Sequence, residues 1–118
     1  GMLHQATLQI ALCIFLTDTW FYFTHKLMHR PWLYSRVHKY HHEFVEADSF
    51  SFSYCHWLEC FIVNEPSTML GPLVLGWPRE LAQIWMVFSS CNSVFSHSGW
   101  HLPGPVSGDP HDYHHRWR

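Results

Sequence analysis

Ten of the twelve histidines in this 118-residue chain stand in four short clusters, and two of the clusters close long apolar segments. They read His25-x-x-x-His29, His38-x-x-His41-His42, His97-x-x-x-His101 and His111-x-x-His114-His115. On a helix, positions three and four apart share a face, so each cluster points its imidazoles one way. The H-x-x-H-H spacing occurs twice, which chance rarely gives in so short a chain. Imidazole is the commonest metal-ligating side chain and suits zinc, copper, iron and nickel. Ten are too many for one ion. Divided between two ions they give five each, which leaves one position open on an octahedral metal, as a reaction needs. Structural zinc sites close instead with four ligands, commonly thiolates. No cysteine lies inside a cluster, which argues against zinc–thiolate or iron–sulfur ligation. The count alone does not separate iron from zinc.

The remaining histidines are His4, expected to be exposed, and His56. His56 and Glu59 are three residues apart and are expected to face the site. Ligating histidines usually donate their other N–H to a carboxylate or carbonyl. Asp18, Glu43, Glu59, Asp109 and Asp112 are the acids available for this. Asp18 is the sharpest case, because an acid in an apolar segment is costly, and it lies two helical turns before His25. Asp112 also suits the start of a helix, with Asp109 as N-cap and Pro110 at the first position.

Between the clusters the chain is greasy. A mean hydropathy of −0.11 looks soluble only because the histidines lower it. Residues 6–23 contain one acid and no basic residue, and span roughly 27 Å, close to a bilayer's hydrocarbon thickness. Residues 78–100 form a second candidate membrane helix, with Pro78 in its first turn and Glu80 at its positive end. Its small residues Ser89, Ser90, Cys91 and Ser93 permit close helix approach, and Asn92 is expected to bond a neighbouring helix. If all four clusters meet, both helices run the same way. The chain must then return through residues 61–77, a stretch expected to be broken at Pro66, Gly71, Pro72 and Gly76. Residues 31–44 read as one short helix with Pro31 in its first turn.

Composition excludes several classes. Aromatic residues at 18% argue against disorder. A net charge of −2 and the lack of a basic patch argue against nucleic acid as a partner. Cys13, Cys55, Cys60 and Cys91 form no C-x-x-C pair and read as reduced apolar residues. The length, with a mass of 14.1 kDa, allows a single domain over residues 1–118.

The motifs resemble the fatty acid hydroxylase / sterol desaturase superfamily of membrane di-iron enzymes. Phe21-Tyr22-Phe23-Thr24-His25-Lys26-Leu27-Met28-His29-Arg30-Pro31 is similar to its first box. Leu33-Tyr34 through His38-Lys39-Tyr40-His41-His42-Glu43-Phe44 is similar to the second. Ser96-His97-Ser98-Gly99-Trp100-His101-Leu102-Pro103 and His111-Asp112-Tyr113-His114-His115 are similar to the last two, in wording most like the C-4 methylsterol oxidase-like branch. That branch often has His-Pro-x-Glu where this chain has His56-Trp57-Leu58-Glu59.

The resemblance implies an all-α fold: an integral membrane helical bundle with a cytosolic, histidine-rich di-metal cap. It implies two Fe ions, with zinc possible as purified, held by the ten clustered histidines and braced by Asp18, His56, Glu59 and Asp112. It further implies O2, a sterol or other lipid substrate, and electrons from NAD(P)H through cytochrome b5 and its reductase. The expected location is a multi-pass position in a membrane, the endoplasmic reticulum in a eukaryote. Trp20, Phe23, Leu27, Met86 and Phe95 are candidates to line a lipid pocket, with core packing the favoured role for each. The family usually extends further at both ends, so the chain reads as a core fragment. Two other classes are a non-catalytic metal-binding relative and a metal transporter. A transporter places ligands mid-membrane, whereas these clusters lie at helix ends and beyond.

Overall fold

The first helix, α1 (Met2–Met28), contains no proline or glycine, and nothing in its 27 residues interrupts it. It encloses the expected apolar segment 6–23 and runs for roughly 40 Å. It stops before Pro31, which holds Arg30 in extended backbone (φ −63, ψ 137) and opens the short helix α2 (Pro31–Arg36). The computed structural model describes residues 1–43, 53–98 and 114, and all regular structure among these is helical.

The single helix expected over 31–44 is two pieces. Val37 leaves helical geometry (φ −124, ψ −62), and a 3-10 helix follows at His38–Glu43. Residue 44 lies outside the described residues. The kink buries Val37 and turns His38, His41 and His42 inward.

Of the breaks expected in the return segment, those at Pro66, Gly71 and Pro72 do not occur, and the one at Gly76 does. α3 (Trp57–Glu59), a π turn (Cys60–Asn64) and α4 (Glu65–Val74) follow one another without a gap, although Pro66 and Pro72 lie within them. A proline removes the N–H that would bond the carbonyl four residues earlier. Here those carbonyls belong to Ile62 and Thr68. The indole of Trp20 donates to Ile62 O at 2.9 Å, and that of Trp85 donates to Thr68 O at 3.1 Å. Donors from neighbouring helices thus replace what the prolines removed, and the run stays helical. It ends at Gly76, whose φ of +63 closes the turn. Gly76 N–H donates to Leu73 O and Trp77 N–H to Pro72 O, the Schellman pattern.

α5 (Arg79–Ser96) lies within the expected 78–100, with Pro78 as an extended N-cap and His97 as C-cap. Residues 99 and 100 are outside the described residues. Asn92 is exposed and its side chain makes no hydrogen bond among the described residues, because it faces away from the neighbouring helices. The closest helix approach is elsewhere. Gly71 of α4 lies against Cys13 of α1, where an added Cβ would stand 3.1 Å from Cys13 Cα. Trp20 pairs with residue 62 and Cys13 with residue 71, so α4 runs antiparallel to α1. α5 packs on α4, and its end brings His97 beside His41 of the 3-10 helix.

Burial is inverted relative to a water-soluble domain. Among the described residues the buried set includes His38, His41, His42, His97, Glu59 and Ser67 beside Cys13, Met28, Val37, Val63, Gly71, Pro72 and Trp85. Phe61, Leu73 and Ile84 are 72%, 69% and 66% exposed. α1 is the one helix among the described residues long and apolar enough to cross a membrane. α5 falls short, diluted by Ser89, Ser90, Asn92 and Ser93.

Candidate metal centre

Three elements and one isolated residue supply the site. The last turn of α1 carries His25, and its C-cap is His29. The 3-10 helix carries His38, His41 and His42. The end of α5 supplies His97, and His114 arrives from the far end of the chain. Beneath them Met28, Val37 and Val63 form a small apolar base, with Leu33 and Leu58 packed against it.

Five of these imidazoles, His25, His29, His38, His42 and His114, bring one nitrogen each within 4.8 Å of all the others. The Nε2 atoms form a chain: His25 to His114 at 2.9 Å, His114 to His29 at 3.1 Å, His29 to His38 at 3.1 Å and His38 to His42 at 3.0 Å. With metal–nitrogen bonds of about 2.1 Å, ligands at right angles lie ~3.0 Å apart and tetrahedral ligands ~3.4 Å apart. The four consecutive spacings, 2.9–3.1 Å, are short enough for neighbouring nitrogens to share one ion.

Proton inventory points the same way. A neutral imidazole carries one N–H. Nδ1 of His38 stands 2.7 Å from Oε1 of Glu59, so His38 donates there and its Nε2 presents a lone pair. That lone pair faces two further Nε2 atoms. A cation in their midst satisfies all of them at once, and the residues therefore fit a bound metal. Glu59 is 2% exposed, and its second oxygen has no hydrogen-bond partner among the described residues. A lone buried carboxylate is costly, and a metal-loaded His38 beside it offsets that cost.

Burial disfavours the charged form of several of these imidazoles. Burial, then the nearby His38 and His114, push His29 down to about 4. Burial also lowers His97, opposed in part by its hydrogen bond to Ser93 O, and lowers His114, with His38 adding to the effect. His97 Nδ1 donates to Ser93 O at 2.8 Å, which directs its Nε2 away from its own helix. The rings of His97 and His41 stand 5.5 Å apart, beside the five-histidine group, with His41 stacked on His38 at 5.5 Å. His101, His111 and His115 lie outside the described residues, as do Asp112 and Asp109.

The acids and the spare histidines sort differently from expectation. Glu59 meets a ligand. Asp18 does not: it is exposed and makes no hydrogen bond or ion pair among the described residues, being two turns down the helix from His25. His56 is occupied elsewhere: its Nδ1 accepts from Leu58 N–H as the N-cap of α3, and its ring stacks on Tyr40 at 5.7 Å. Glu43 accepts a hydrogen bond from Tyr54 at 3.1 Å. His4 is exposed, and all four cysteines are free thiols. Asn64 donates to Cys55 Sγ at 3.5 Å, and burial, then Glu59 and Cys60, push that thiol up to about 12.

An open cleft of about 420 Å³ reaches the five-histidine group, lined by Phe21, Tyr22, His25, Lys26, His29 and His114. Trp20 is tied to Ile62 rather than lining this cleft, and Phe95 lines a separate groove on α5. Tyr34 went unremarked as a site residue in the sequence. Its ring stands 5.9 Å from that of His29 and 5.8 Å from that of His42, and only its place beside the second cluster hints at this.

The fatty acid hydroxylase family model matches residues 10–118. The chain is 33% identical over 112 residues to fatty acid hydroxylase domain-containing protein 2 of Homo sapiens, covering 95% of this chain and 34% of that protein. It is 32% identical over 120 residues to methylsterol monooxygenase 2-2 of Arabidopsis thaliana, covering 95% of this chain and 45% of that protein. It is 34% identical over 116 residues to very-long-chain aldehyde decarbonylase GL1-11 of Oryza sativa subsp. indica, covering 92% and 43%. The chain thus spans between a third and a half of the length of these relatives. No solved structure matches it.

Proposed function

The chain belongs to the fatty acid hydroxylase family, and on that premise we propose that it is the metal-binding core of a membrane-bound oxygenase acting on a C–H bond of a sterol or other lipid. The observation that carries this reading is the convergence of five imidazoles, one nitrogen of each within 4.8 Å of all the others, at a cleft open to the outside.

His25, His29, His38, His42 and His114 would hold one ion. His41 and His97 would begin a second set, completed by His101, His111 and His115. On this reading the metals are two irons, which when loaded supply the activation of O2, with electrons from NAD(P)H through cytochrome b5 and its reductase. The protein's own residues do the rest. Neutral imidazoles bind without cancelling the metal's charge. Glu59 holds the proton of His38 Nδ1 and so fixes which nitrogen of that ring faces inward. Phe21 and Tyr22 give the cleft apolar walls for a lipid chain.

The exposed apolar surfaces of α1, α4 and α5 support a setting in lipid, with the histidine end at the membrane surface. A multi-pass placement, in the endoplasmic reticulum in a eukaryote, follows from this reading. Bracing by Asp112 belongs to it as well.

The test is metal content, then turnover. Protein purified in mild detergent and loaded with iron is expected to carry two ions per chain. With NADPH, cytochrome b5 and its reductase, it is expected to oxidise a panel of sterols and fatty acyl lipids under O2. Two bound ions with no oxidised product from any lipid would favour a non-catalytic metal-binding relative. No bound metal would overturn the reading.

A further inference from the structure

Two tryptophans do the same chemical job at two places, and only one of those places leads to the metal centre. Pro66 strips Ile62 O of its helical donor and Trp20 replaces it at 2.9 Å; Pro72 strips Thr68 O and Trp85 replaces it at 3.1 Å. Thr68 lies in regular α-helix, remote from the histidines. Ile62 lies in the π turn Cys60–Asn64, which begins at the residue after Glu59.

That turn is wide. Glu65 N–H reaches back five residues to Cys60 O. Adding a residue to a turn rotates everything before it relative to everything after it. Glu59, just before the turn, and Val63, within it, both face inward, Glu59 onto His38 and Val63 into the base with Met28 and Val37. π turns of this kind recur at functional sites. Such a turn has weaker internal bonding than an α-helix, and its register needs an outside hold. Trp20 comes from α1, the helix that also carries His25 and ends at His29. One hydrogen bond therefore ties the helix bearing two ligands to the turn that aims the brace of a third.

We propose that Trp20 is a positioning residue of the metal centre: its indole N–H holds the π turn in the register that points Glu59 at His38. The inference rests on the metal-binding reading above. Trp85 is its internal control: it comes from α5, whose C-cap is His97, but its bond falls on Thr68, in regular α-helix away from the π turn and Glu59.

The test titrates Co(II), followed by its d–d absorption, into wild type, Trp20→Phe, Trp85→Phe, Glu59→Gln and the Trp20→Phe/Glu59→Gln double variant. Each Phe variant keeps a ring and loses the donor. Trp85→Phe is expected to lower Tm and leave Co(II) affinity and spectrum unchanged. Trp20→Phe is expected to bind Co(II) about 10–100-fold more weakly, with a shifted band, as Glu59→Gln does. The double variant is expected to be no worse than Glu59→Gln alone, because both changes break one linkage.

A second measurement needs no mutation. Adding Zn(II) to wild type is expected to slow solvent exchange of the Trp20 indole proton and leave that of Trp85 unchanged. Wild type that takes up no metal overturns the metal reading and this inference with it. Wild type that loads, with Trp20→Phe loading equally well or with both indoles responding alike to Zn(II), overturns the inference alone.

Discussion

The helical shaft and the histidine end of this molecule bury opposite kinds of side chain. Along the shaft, Phe61, Leu73 and Ile84 face outward, and the inside is a close contact between Gly71 and Cys13. At the histidine end the interior is polar: His38 and His42 are fully buried, and Glu59 nearly so. The shaft depends on backbone approach and on what surrounds it. The end depends on what is placed within it. Stability and metal binding should therefore respond to different substitutions.

The largest effect is expected from His38→Ala. It removes the middle of the Nε2 chain and leaves Glu59 buried without its partner, a type of change that costs about 3–5 kcal/mol. Metal analysis should show the loss of one ion per chain, and thermal unfolding a large fall in Tm. Gly71→Val attacks the shaft instead. Its new side chain must push α4 away from Cys13, for about 1–3 kcal/mol by overpacking. Protein that folds nonetheless should bind metal with unchanged stoichiometry. A matched loss of metal in that variant would erase the distinction between the two regions.

Acid sharpens the comparison. His29 falls from its ordinary 6.5 to about 4 in the folded chain. The unfolded chain thus binds a proton in the window between those values that the folded chain refuses. The contribution of His29 to stability is complete above about 6.5, declines as pH falls through the window, and is gone below about 4. Metal loading should hold from neutral pH down to about 5 and collapse toward 4, which pH-dependent metal retention would read. The smallest effect belongs to the outward face. Val87→Ser is 65% exposed in wild type and should change Tm in detergent by an amount equivalent to no more than about 0.5 kcal/mol. On the proposed membrane reading, its partition into lipid vesicles should weaken measurably, since that face would meet lipid rather than protein.

Much of this was legible in the residues. The apolar run 6–23 announces α1, and the requirement that the clusters meet demands a return pass, which 57–74 makes. The spacing of His25 and His29 puts both on one helical face, as found. Glu59, three residues from His56, reaches the site while His56 does not, because the cap of α3 has first claim on that ring. What was illegible depended on distant partners. Pro66 and Pro72 read locally as breaks, and only a folded neighbour reveals that Trp20 and Trp85 supply the missing donors. Gly71 reads as a breaker too, yet its use is the space it leaves for Cys13. Asp18 misled because charge in an apolar run suggests function, whereas helical rise carries it two turns from the ligands.

The 3-10 helix His38–Glu43 has one more consequence. It sends His38 and His42 into the five-histidine group and His41, stacked on His38, toward His97. On the proposed reading, one six-residue segment belongs to both ion positions. Whichever ion arrives first immobilises that segment for the other, so the second binds a chain already ordered. Uptake should then be cooperative, and half-loaded protein should be scarce at every metal concentration.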